Sequence, residues 1–103
     1  MWIFLNNAFL SIVEDRDDKN RLLVRARLPD DIPRVFPTAE VFEKDHADYR
    51  YRALIPREEV ATAISEQVRK IDYDNFKNSV SEDDRHDAYL GVWNVMYDLQ
   101  ERG

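Results

Sequence analysis

Tyr49-Arg50-Tyr51-Arg52-Ala53-Leu54-Ile55-Pro56-Arg57-Glu58-Glu59-Val60 changes its hydrophobic period partway along. Up to Ile55 the residues alternate. Tyr49, Tyr51, Ala53 and Ile55 fall on one face of an extended segment, and Arg50, Arg52 and Leu54 on the other. After Pro56 the spacing becomes helical, with Val60, Ala61, Ile64, Val68 and Ile71 on one stripe. Glu58 and Glu59 open that helix and Arg69 and Lys70 close it, as the helix dipole prefers. A strand running straight into a helix predicts a chain with both kinds of element in one fold.

Toward the N-terminus the same alternation returns. Arg21 to Leu28 reads as a strand, with Leu22, Val24, Ala26 and Leu28 on one face and Leu23, Arg25 and Arg27 on the other. Trp2 to Leu5 and Ala8 to Glu14 read as a hairpin about Asn6-Asn7, since asparagine tolerates the positive φ of a two-residue turn. Asp15 to Asn20 is an entirely polar connection. Pro29 to Pro37 predicts one or two helical turns, with Asp30 as cap and Pro33 in the first turn. Ala39 to Glu43 reads as a further strand, followed by a polar turn over Lys44 to Asp48.

Toward the C-terminus, Asp72 to Val80 is a connector with a short helical turn after Asp74. Ser81-Glu82-Asp83-Asp84 resembles a capping box with Ser81 at the N-cap. The last helix is expected from about Glu82 to Gln100, with Tyr89, Val92, Trp93, Met96 and Leu99 as its buried stripe. The predicted order is β-β-β-α-β-β-α-α, ferredoxin-like in part over residues 21–71. The expected fold is one α+β domain over residues 1–103: an antiparallel sheet of about five strands, two C-terminal helices on one face, and the other face at least partly open.

Composition narrows the chemistry. The chain has 103 residues, 44% hydrophobic and 35% charged, which is the mixture of a globular domain and not of a disordered acidic tail. With no cysteine, disulfides, thiolate zinc sites and a cysteine nucleophile are all excluded. Only two glycines occur, Gly91 and Gly103, so no phosphate-cradling glycine loop can form. No metalloprotease helix and no serine elbow is present. Met1 to Leu5 is apolar but too short to span a membrane and lacks the pattern of a signal peptide. The expectation is a cytoplasmic protein without cofactor, metal or membrane partner. The net charge of −6 is uneven: Asp72 to Gly103 holds eight acids and three bases, Met1 to Ile71 thirteen acids and twelve bases.

Four clusters are candidate sites, each beside a plainer explanation. Glu82, Asp83, Asp84 and Asp87, with Asp98 and Glu101 farther along, form an acidic helix surface suited to a basic surface on a partner protein, or simply to the helix dipole and solubility. Arg25, Arg27, Arg50 and Arg52 share one sheet face, where Trp2, Phe4, Phe9 and Phe42 can join them. Such a face suits single-stranded nucleic acid, a homodimer contact, or cross-strand ion pairs with Glu40 and Glu43. The connector Asp72-Tyr73-Asp74-Asn75-Phe76-Lys77 offers ligands for a hard cation or a small molecule, and Tyr73, Asn75, His86 and Tyr89 are the residues of an alternative small-ligand pocket; the plainer explanation is that Asp74 caps a turn and Phe76 and Val80 fill the core. His86 beside Asp83 and Asp87 has the makings of a general base, or of a solvated helix start.

The stretches Leu22-Leu23-Val24-Arg25-Ala26-Arg27, Ala47-Asp48-Tyr49-Arg50-Tyr51-Arg52-Ala53, Arg57-Glu58-Glu59-Val60 and Ile71-Asp72-Tyr73-Asp74-Asn75-Phe76-Lys77, with the late Tyr89, Trp93 and Met96, resemble a family of short uncharacterised bacterial and mobile-element proteins. The resemblance covers nearly the whole chain and implies a fold without assigning a catalytic residue. By analogy of class, small acidic proteins of mobile elements include inhibitors of host defence such as anti-CRISPR proteins. The leading expectation is therefore a non-catalytic protein-binding module of that inhibitor type. A nucleic-acid binder through the arginine face is the second reading, and a small enzyme or ligand sensor the third.

Overall fold

A computed structural model describes all 103 residues and divides the chain into two compact units, Met1–Asp72 and Tyr73–Gly103. The first is a five-stranded antiparallel sheet with helices, as the alternation predicts. Its strands are β1 (Trp2–Leu5), β2 (Ala8–Glu14), β3 (Arg21–Ala26), β4 (Phe42–Glu43) and β5 (Tyr51–Pro56), in the spatial order β1-β2-β3-β5-β4. Two helices accompany it, α1 (Asp31–Val35) and α2 (Arg57–Arg69).

One face of the sheet is the core. Ala8, Leu10 and Ile12 of β2, Val24 and Ala26 of β3, and Ala53 and Ile55 of β5 are buried there. Ile32 and Val35 of α1, Phe36 just beyond it, and Val60 of α2 close the core from above. The period-two pattern predicts these strand residues because a one-residue slip would put all of them in water. Leu28, expected at the end of the third strand, lies beyond Ala26 and is exposed.

Asp31 is the buried exception. Its Oδ2 accepts the Phe9 backbone N–H at 3.0 Å, and Arg34 Nη1 lies 4.0 Å from its Oδ1. Arg34 Nη1 also donates to the Asn7 carbonyl at 2.7 Å, so both side chains tie α1 to the β1–β2 hairpin. Asp30, the expected cap, stands at the N-cap but makes no side-chain cap bond.

The polar connection between β2 and β3 is held by its own side chains. Arg21 Nη2 reaches Asp15 Oδ2 at 2.7 Å, and Asp18 Oδ1 accepts the Asn20 N–H at 2.9 Å. The hydrogen bond from Arg21 holds the Asp15 carboxyl below its ordinary range, against a smaller opposing effect of burial. A depressed carboxylate stabilises the fold above its unfolded pKa, and that contribution fades as the pH falls through the folded pKa. Arg21→Gln should therefore be less stable than the native chain at neutral pH. The gap should begin to shrink as the pH falls below about 3.9, the ordinary aspartate value, and close only as the pH passes through the lowered pKa of folded Asp15. Urea denaturation at a series of pH values reads this, and a gap independent of pH would refute it.

Three expectations shift at element ends. The fourth strand is only Phe42–Glu43, not Ala39–Glu43, because the Ala39 N–H turns back to the Phe36 carbonyl. The fifth begins at Tyr51, so alternation does not reach Tyr49, and Tyr49 leaves the core face. The second helix ends at Arg69, with Val68 and Ile71 exposed and only Val60, Ala63 and Ile64 turned to the core. Before β5, His46 takes a left-handed φ of 64° in the turn that the polar run predicts.

The second unit holds α3 (Phe76–Ser79) and α4 (Asp83–Arg102). Asn75 caps α3, accepting the Asn78 N–H at 3.1 Å, where Asp74 was expected to serve. The N-cap of α4 is Glu82, with no side-chain cap bond, so the predicted Ser81 capping box does not form. No helix of the chain is long and apolar enough to cross a membrane.

Candidate functional site

Helix α4 is anchored near its start. Arg85 and Tyr89 are buried; Arg85 Nε meets Glu82 Oε1 at 3.2 Å, and its Nη1 donates to the Tyr89 hydroxyl at 3.3 Å. Phe76 of α3 stacks on Tyr89 with 5.8 Å between ring centroids, Tyr73 packs against Phe76, and Lys77 Nζ sits 5.0 Å from the Trp93 ring. Glu82 is therefore partly committed to holding its own helix.

Beyond Tyr89 the helix is open. Leu90, Val92, Trp93, Val95, Met96, Tyr97 and Leu99 are each between 39% and 61% exposed. The stripe expected to be buried is thus buried only at Tyr89; Val92, Trp93, Met96 and Leu99 face solvent. Periodicity shows that one side of a helix wants a partner, but not that the partner lies in the same chain. At 100° per residue the apolar side chains of α4 sweep roughly 220° of its circumference. The remaining stripe carries Asp83, Asp84, Asp87, Gly91, Asn94, Asp98, Glu101 and Arg102, all exposed.

The four arginines are arranged differently. Across the open sheet face one row runs Trp2, Ser11, Arg25, Arg52, Phe42, each opposite the next in register. Phe4 and Phe9 stack beside it with centroids 4.6 Å apart. Tyr49, only 4% exposed, lies between two guanidinium groups, with Arg25 Cζ 4.6 Å and Arg27 Cζ 4.3 Å from its ring centroid. Arg25 Nη2 donates to Ser11 Oγ at 2.7 Å and Arg27 Nη1 to the Asp48 carbonyl. Arg52 Nε donates to the Tyr49 carbonyl, and its Nη2 lies 3.7 Å from Asp48 Oδ1. Arg50 reaches Asp45 and Glu43 at 3.6 and 3.9 Å. Arg25 Nε is buried without a hydrogen-bond acceptor, its group lying against the Tyr49 ring. These contacts staple residues 48 and 49 to β3 and employ all four arginines within the fold.

The predicted pocket residues take separate duties. Asn75 is the α3 cap, Tyr73 and Tyr89 flank Phe76, and His86 is half-exposed with Nδ1 4.0 Å from Asp87 Oδ1. No group of three or more His, Asp or Glu side chains is placed to hold a metal ion. Sequence reading missed a shallow concavity of about 430 Å³ in the first unit, with Phe36, Pro37 and Ala63 beside Glu58 and Glu59. It joins segments distant in sequence, so no local pattern announces it.

Of these surfaces, the exposed side of α4 carries the most large apolar side chains accessible to solvent. Comparison with protein-family models, with curated proteins and with solved structures found no significant match to this chain.

Proposed function

We propose that this protein is a non-catalytic protein-binding module and that α4 is its docking element. The observation that carries the reading is the run from Leu90 to Leu99, where seven large apolar side chains are substantially exposed on one helix. Amphipathic helices that present such residues bind by laying them into an apolar groove. Burying several of them supplies a free-energy gain of order 25 cal/mol per Å² before the costs of association. Inhibition fits this mode, because a helix occupying a partner's groove displaces whatever the groove otherwise holds. An inhibitor of a host defence or nucleic-acid-handling complex is the form of this reading that the acidic stripe favours, since such complexes carry basic grooves.

The nucleic-acid reading draws support from Trp2 and Phe42 at the two ends of the arginine row. It is the weaker of the two, because Arg25, Arg27, Arg50 and Arg52 already have partners within the fold.

Affinity capture with the tagged chain, after nuclease treatment, tests the reading. A protein should be retained in a stoichiometric amount and lost with the variant Trp93→Ser/Met96→Ser. Capture unchanged by that variant, or retention of nucleic acid alone, would count against α4 as the docking element.

A further inference from the structure

We propose that Arg25, Arg27 and Arg52 form a binding site for a phosphate ester on the open sheet face, and that Tyr49 masks this site until the phosphate takes its place. The proposal concerns the first unit alone and stands or falls independently of α4 as a docking element.

The first argument is the balance of charge. Arg25 and Arg52 are directly opposite in register, where like charges repel. Arg27 follows just past the end of β3. One carboxylate, Asp48, lies within ion-pair distance of the three; it is 3.7 Å from Arg52 Nη2, and its side chain is 68% exposed. The other acceptors are neutral: the Ser11 hydroxyl and the Asp48 and Tyr49 carbonyls. Three guanidinium groups against one carboxylate leave positive charge unbalanced here, on a chain whose net charge is −6. Arg50, by contrast, is met by Asp45 and Glu43.

The second argument is geometric. Arg25 Nε is a buried donor with no acceptor, and its guanidinium lies against the Tyr49 ring. An aromatic face is a weaker acceptor than an oxyanion. The ring centroid is 4.6 Å from Arg25 Cζ and 4.3 Å from Arg27 Cζ. When a guanidinium fork grips a phosphate, N–H···O bonds of ordinary charge-assisted length put its central carbon about 4 Å from phosphorus. A phosphorus atom at the centre of the Tyr49 ring is therefore placed for both arginines at once, and its oxygens supply the acceptor that Arg25 Nε lacks.

The third argument is that the mask is a single loop. Apart from Ser11, every hydrogen-bond or ion-pair acceptor of the three arginines belongs to Asp48 or Tyr49, in the connection from β4 to β5. Lys44, Asp45, His46, Asp48 and Arg50 of that connection are exposed. The strand at its near end, β4, is two residues long, and so short a pairing holds a hairpin weakly. The pairing of β3 with β5 begins at Tyr51 and does not use residues 48 and 49. Moving those two residues aside frees Arg27 and Arg52, leaves Arg25 on Ser11, and keeps the strands that carry all three. The partners that make the arginine face the weaker docking surface as it stands are thus the ones a ligand displaces, and its affinity is reduced by the fraction of chains in the masked state.

Calorimetric titration of the full chain at about 20 mM salt tests the proposal with two probes that carry the same group, thymidine 5′-monophosphate and a single-stranded octathymidylate. Tyr49→Ala, which removes the mask, should bind at least about tenfold more tightly than the native chain, and Tyr49→Phe, which keeps the ring, should bind as the native chain does. Arg27→Gln added to Tyr49→Ala should weaken binding at least about tenfold, while Arg50→Gln in the same background should not. No binding of either probe to Tyr49→Ala would overturn the site. Equal binding by Tyr49→Ala and the native chain would overturn the mask, and equal losses from Arg27→Gln and Arg50→Gln would reduce the site to diffuse charge. Should circular dichroism show that Tyr49→Ala does not fold, hydrogen exchange of the native chain decides. An excess of the tighter probe should speed exchange of the Lys44 amide, which the Arg50 carbonyl holds at 2.8 Å, and unchanged exchange would overturn the mask. Tighter binding of the monophosphate identifies a free phosphate ester as the ligand; tighter binding of the octathymidylate, lost with Phe42→Ser, identifies a nucleic-acid strand.

Discussion

Replacing Asp31 by alanine should cost about 3 kcal/mol of stability, one of the two largest losses expected from a single substitution here. The side chain is 2% exposed, and its carboxylate accepts the Phe9 N–H from a strand 22 residues away in sequence. Alanine leaves that N–H without its acceptor, which alone costs about 1–3 kcal/mol. It also removes the negative charge beside Arg34, whose guanidinium holds the Asn7 carbonyl of the same hairpin. Asp31→Asn keeps an acceptor oxygen in nearly the same place and should cost about 1 kcal/mol. Urea denaturation of the three proteins decides the matter. A loss below about 1 kcal/mol for alanine would show that the carboxylate is not the tie between α1 and the hairpin.

That tie also marks what a sequence can and cannot show. Asp30 and Asp31 are adjacent and chemically alike, and a capping rule favours the first. Which of them enters the core depends on where the β1–β2 hairpin arrives, a long-range fact with no local signature. The strands were legible because burial on one face imposes a period of two on β2, β3 and β5. Tyr49 was misplaced because the same period was extended past the point where the strand begins. There two arginines and a backbone carbonyl set the side chain's position instead. The acids of α4, from Glu82, Asp83, Asp84 and Asp87 to Asp98 and Glu101, are all legible in the sequence; the exposure of the apolar residues between them is not, because periodicity alone does not say what covers a helix face.

The expected contrast between Leu10→Ala and Met96→Ala separates residues that hold the fold from residues that await a partner. Leu10 is fully buried on the central side of the sheet, among Ile12, Val24 and Ile32 of the same core. Its truncation removes about three methylene equivalents from close-packed surroundings and leaves a void, at a cost of about 3–4 kcal/mol. Met96 is as apolar and lies on the predicted stripe of α4, but it is 54% exposed. Alanine there should change stability by no more than about 0.5 kcal/mol, because little packing is lost and alanine is the better helix former. A stability ranking by hydrophobicity alone would treat the two sites as equals. Thermal and urea unfolding of both variants gives the answer. A large loss at Met96 would mean that the chain itself covers α4, and the docking surface would then have to be sought elsewhere. A negligible loss, together with the large one at Leu10, would leave the apolar side of α4 without a role in the isolated fold, as a surface kept for a partner requires.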